Sequence, residues 1–107
     1  MAEDWPLSEQ FRIVGKKWVD AEGAAHLYDE TKSAVLAQRK SDLGDIPDSH
    51  AERLVKASPE WLEFVEAGAR SRKEANLLKI QLEYIRVKIF QSTNEDANKR
   101  HELRLTR

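Results

Sequence analysis

The stretch ANLLKIQLEYIRVKIF, residues 75–90, decides the fold. Placed on a helix at about 100 degrees per residue, Ala75, Leu78, Leu82, Ile85 and Ile89 share an arc of roughly 80 degrees. Leu77, Ile80, Tyr84 and Val87 share a second arc on the opposite side. Lys79, Glu83 and Arg86 fill one gap between them, and Gln81 and Lys88 fill the other. A helix apolar on two sides must be covered on both. We therefore expect all eight of Leu77, Leu78, Ile80, Leu82, Tyr84, Ile85, Val87 and Ile89 to be covered, one arc by the first helix and the other by the N-terminal region or by a second chain in an oligomer or partner interface.

The covering element within the chain lies upstream. Phe11, Val14, Trp18, Ala21, Ala25, Tyr28, position 32 and Val35 recur at alternating steps of three and four, a heptad-like seam. Lys32 interrupts it, and its methylenes can line the seam while the ammonium reaches water. Ser8 reads as the N-cap, with Glu9 in the first turn where an acid favours the helix dipole. Gly15 and Gly23 fall inside this helix and each costs about 1 kcal/mol relative to alanine. The pattern fades after Lys40, and SDLGDIPD (41–48) carries the turn formers of a reversing loop.

Two further start signals follow. Ser49 and Glu52 fit the capping box, in which hydroxyl and carboxylate satisfy exposed backbone amides. Ser58-Pro59-Glu60 places a serine cap before a proline at the first helical position, where its missing N–H costs nothing. The expected fold is all-α: a long antiparallel helical hairpin, coiled-coil-like, with a short middle helix. Its helices should span about 8–40, 49–57 and 59–94 in one helical domain of residues 1–107, whose basic tail, 95–107, is either flexible or ordered on binding. Among the aromatics, Phe11, Trp18, Tyr28, Trp61, Phe64 and Phe90 are spaced as core filler, while Trp5 precedes the first cap and can staple the entry to the helix.

Composition bounds the function. The chain has 107 residues, 40% hydrophobic and 35% charged, with no cysteine. A disulfide framework, a thiolate zinc site and a cysteine nucleophile are thereby excluded. No run approaches the 18 or so apolar residues of a membrane span, and the acidic start lacks the apolar core of a secretory signal, so a soluble, cytoplasmic protein with no membrane contact is expected. His26, His50 and His101 fall in different elements without metal-motif spacing, and we find no phosphate loop, nucleophile elbow or paired acids in an apolar setting. Neither an enzyme, a metal site nor a cofactor is expected.

Charge is unevenly divided. Residues 1–69 carry 8 Lys/Arg against 14 Asp/Glu, and residues 70–107 carry 10 against 5, although the net charge is only -1. Complementary charge on antiparallel helices is ordinary packing support, and this is the favoured reading. The alternative is phosphate contact by Arg70, Arg72 and Lys73 near the start of the long helix and by Lys99, Arg100 and Arg104 in the tail, giving salt-dependent nucleic-acid binding.

Several segments then carry a resemblance: ETKSAVLA (30–37), SHAER (49–53), ASPEW (57–61), Ala69-Arg70, Ala75-Asn76 and ANKRHELRL (97–105). Across roughly residues 28–105 the chain resembles a group of small bacteriophage and prophage proteins whose genes often accompany phage recombination and single-strand DNA-handling genes. The group's ending reads much like Ala-x-x-Arg-x-Glu-Met-x-Leu, matched here at Ala97, Arg100, Glu102 and Leu105, with Leu103 where the group has methionine. The resemblance implies a bacterial-host cytoplasm and no catalytic residue. The expectation is a non-enzymatic helical interaction protein, a homo-oligomer that also contacts another protein, with DNA contact as a further option, as an accessory to recombination or replication. The alternative is a phage inhibitor of a host defence or repair enzyme.

Overall fold

A computed structural model describes residues 5–105. The described chain consists of three α-helices in the order α1 (Leu7–Asp42), α2 (Asp48–Lys56) and α3 (Pro59–Leu105), with no strand among the described residues. It is an all-α long helical hairpin with a short middle helix, as the periodicity requires. The contacts of the described residues fall into two compact units: residues 20–75 form one, and the described residues up to 19 and from 76 onward form the other.

In the unit of residues 20–75, α1 and α3 run antiparallel. Tyr28 lies against Gly68, where an added Cβ would sit 3.5 Å from the tyrosine Cβ. Earlier on α1, Glu22 meets Arg72, later on α3. Trp61 is buried, stacks on Phe64 at 5.6 Å, and Phe64 in turn tilts against Tyr28 at 5.6 Å. Ala21, Ala25 and Ala75 are buried in the same unit. Small side chains on facing ridges let helix backbones approach closely. The connection is capped by α2, whose Ala51 and Val55 are buried.

In the other unit, the start of α1 covers one arc of α3. Val14 and Ile85 are buried, Phe11, Trp18, Leu78, Leu82 and Ile89 are half-buried, and the Cβ position of Gly15 lies 3.7 Å from Leu82 Cδ1. Burying a valine or isoleucine fully is worth about 1.5–3 kcal/mol, so these few side chains carry much of the unit's stability.

Helix ends differ from the expected ones in five places, one of them the end of α2 at Lys56 instead of Ala57. The first helix begins at Leu7, because the Pro6 carbonyl accepts from the Glu9 and Gln10 amides, both at 3.0 Å, which leaves Ser8 inside the first turn. Trp5 is exposed, and its carbonyl is held by the Gln10 amide at 2.7 Å. The first helix also runs on to Asp42, and Gly44, at φ +89°, turns the chain just beyond it. α2 starts one residue early behind Pro47, whose φ of -55° suits the N-cap, and no side chain caps it; Glu52 pairs with Lys56 at 3.0 Å rather than closing a box with Ser49. The serine cap at Ser58 is present: its Oγ accepts from the Trp61 amide at 3.2 Å. α3 continues to Leu105 instead of ending near Asn94, so the segment 95–105 is helix; residues 106 and 107 lie outside the described residues.

Lys32 is exposed, as a snorkelling seam lysine should be. Gly23 has open space where a Cβ would stand. Gly23→Ala should therefore raise stability by about 0.4–1 kcal/mol in urea unfolding, through lower unfolded-state entropy and better helix propensity. Ala75 is 0% exposed, and Ala75→Leu should lower stability by about 1–3 kcal/mol by overpacking the same seam.

Candidate interaction surface

The two arcs read from residues 75–90 meet different fates. Ala75 and Ile85 are 0% and 4% exposed, whereas Leu77, Ile80, Tyr84 and Val87 are 57%, 63%, 60% and 52% exposed. All four exposed residues lie on the α3 segment of one unit, at steps of three and four over about 15 Å of helix. They form one stripe because those steps bring side chains to the same side of a helix. Lys88 sets its ammonium 5.0 Å from the centre of the Tyr84 ring, a cation–π contact at the edge of the stripe. Scattered exposed leucines are ordinary, but four neighbouring large apolar side chains on a charged helix are the pattern of an interaction surface.

The candidate phosphate ligands do not form one group. Arg72 is committed within its own unit: its Nη1 donates to both Glu22 carboxylate oxygens at 2.9 and 2.8 Å, and its Nη2 donates to Asp29 Oδ2 at 3.2 Å. These hydrogen bonds, the Glu22 pair foremost, push the Arg72 pKa further up. This is the complementary-charge packing expected of antiparallel helices. Arg70 and Lys73 are exposed and make no ion pair among the described residues. Lys99, Arg100 and Arg104 stand on the last turns of α3, where every described residue from Phe90 onward is exposed. Arg100 Nε donates to the Asp96 carbonyl at 3.4 Å, and with Ala97, His101 and Arg104 it lines a shallow groove.

Elsewhere, Lys40 ties the end of α1 to the start of α2 by pairing with Asp48 at 2.8 Å, which pushes the Lys40 pKa up. Arg12 holds the Glu9 carboxyl below its ordinary range. His26 pairs with Glu30 at 2.8 Å, and no cluster of three or more metal-ligating side chains occurs among the described residues. A cleft of about 210 Å³ is lined by Arg39, Asp42, Leu54, Val55, Ser58 and Glu60, with no histidine among the described residues lining it. No helix is long and apolar enough to cross a membrane among the described residues.

Two arrangements were not read from the sequence. The Arg72 fork between Glu22 and Asp29 joins residues 43 and 50 positions apart, and only the opposite charge of the two halves hinted at it. The cations beyond Asn94 belong to the same helix as Lys79 and Arg86, which becomes apparent only once α3 is known to continue. Arg72→Met should lower the thermal midpoint by a few degrees, and less so in high salt, because screening already weakens the pair it removes. No family model matches the chain, and neither a curated protein nor a solved structure matches it either.

Proposed function

We propose that this chain is a non-enzymatic helical interaction protein that pairs with a second copy of itself through the Leu77, Ile80, Tyr84 and Val87 stripe. The single observation that supports this is the exposure of all four residues on a helix whose other apolar arc is already covered. The stripe is self-complementary. In an antiparallel pairing about a two-fold axis beside Leu82, Leu77 faces Val87 of the other copy and Ile80 faces Tyr84, the isologous contact of a closed dimer. Burying such a stripe removes large side chains from water at about 25 cal/mol per Å².

The setting is a separate part of the proposal. The resemblance of residues 28–105 to phage proteins encoded near DNA-handling genes supports a role as an accessory to recombination or replication in a bacterial host. The same stripe taken up by a host defence or repair enzyme is the inhibitor reading. Pull-down from infected-cell lysate separates the two by whether phage annealing proteins or a host effector is recovered.

Sedimentation at tens of micromolar tests the self-association. The full chain should behave as a dimer, and Ile80→Glu should give a monomer of unchanged helicity. A wild-type monomer at that concentration removes the proposal. Glu83 reports the orientation: it faces its own copy in the antiparallel register, so Glu83→Gln should tighten the dimer, whereas a parallel register, which sets Glu83 against Lys88, predicts weakening.

A further inference from the structure

Among the described residues, every ion pair uses a cation no later in the chain than Arg72. Beyond it, Lys79, Arg86, Lys88, Lys99, Arg100 and Arg104 make none, although acids are available on the same helix. Four of these six share a side. Measured from Lys79 at about 100 degrees per residue, Arg86 lies near -20, Arg100 near -60 and Arg104 near -20 degrees. Phe90 falls near +20 and His101 near +40 degrees, inside the same arc. Glu83 is the one acid in that arc; Glu95 and Glu102 fall on the far side, and Asp96 lies past the edge.

The row is continuous because α3 is helical throughout this stretch. It extends about 38 Å from Lys79 to Arg104, and all of these residues lie in one unit. Every member is exposed, and Phe90 is 66% exposed in the middle of the row. Two physical consequences follow. Unpaired cations in line create a positive strip that favours a polyanion over isolated anions. An exposed aromatic ring among them adds a stacking face, which only unpaired bases can use, since those of a duplex are already stacked.

We propose that the face of α3 formed by Lys79, Arg86, Phe90, Arg100 and Arg104 binds single-stranded nucleic acid, the cations contacting phosphates and Phe90 stacking on a base. A membrane surface fits this face less well, because Phe90 is its one large apolar residue and the Leu77, Ile80, Tyr84 and Val87 stripe is turned roughly 80–160 degrees away. The cations, at about 0 to -60 degrees, stay clear of the stripe when it is covered, while Phe90, one heptad after Glu83, lies at its border. The proposal does not rest on self-association, and the Ile80→Glu variant retains the whole row.

Fluorescence anisotropy of a labelled thymidylate 20-mer with the full chain tests it. Binding at low salt should weaken with a slope of log affinity on log salt of about -2 to -3, the value for three or four phosphate contacts on a single strand. Arg100→Gln with Arg104→Gln should cost at least about tenfold, and Phe90→Ala about fivefold or more, with helicity by circular dichroism unchanged. Lys88→Gln, on the opposite side, should leave affinity within about twofold. No binding at low salt overturns the proposal. So does an equal loss in Lys88→Gln, or duplex affinity equal to single-strand affinity with no effect of Phe90→Ala. Binding to phosphatidylserine vesicles but not to the oligonucleotide assigns the row to a lipid surface and overturns it as well.

Discussion

One constraint organises the molecule: α3 is apolar along two sides between residues 75 and 90, and the opening of α1 covers one of them. Everything else in that unit is arranged around the covered side. Val14 and Ile85 are buried there, and Gly15 admits Leu82 at van der Waals distance. The other unit repeats the antiparallel arrangement with smaller and more aromatic side chains, since Tyr28 closes over Gly68 and tilts against Phe64, which stacks on Trp61. The covered side makes a fold. The uncovered side is a surface with no structural duty inside the chain.

Periodicity made the hairpin legible before any coordinates. The steps of three and four from Phe11 to Val35, and from Ala75 to Ile89, identify the burying faces, and Ser58-Pro59 marks the start of α3 within a residue. The covered stripe actually begins earlier, at Trp61, Phe64, Gly68 and Ser71, in the same alternating steps. Trp61 and Phe64 read as core filler, but the continuity of the stripe down to Ala75 is masked in the sequence because Gly68 and Ser71 are not apolar, yet both are half-buried. Burial there follows from closeness of the helices, a property of the pair that neither sequence displays alone. Cap positions were less legible. Ser8 and Ser49 have the right chemistry, but a proline two residues upstream supplies the helix boundary in each case, and a carbonyl does the work expected of a hydroxyl.

Charge was legible in sign and not in detail. The acidic first part and basic second part of the chain do meet, in the Arg72 fork between Glu22 and Asp29. A lysine there would lose the planar geometry that serves two carboxylates at once. Past Arg72 the cations are left to solvent, so opposite charge between halves explains the fork and does not explain the row on α3. A residue count cannot distinguish a cation used internally from one held outward; the helix phase can.

The final turns of α3 have an energetic character of their own. From Phe90 to Leu105 each described residue is exposed, so these turns are held largely by backbone hydrogen bonds, propensity and neighbouring side chains. An isolated helix of that length is marginal in water. Substitutions there that keep helix propensity are therefore thermodynamically uncoupled from the hairpin: they leave the global unfolding free energy nearly untouched. Sequence in this segment is free to drift or to be shaped by a ligand alone, and a ligand that gripped it would return its binding free energy as helix, one turn at a time.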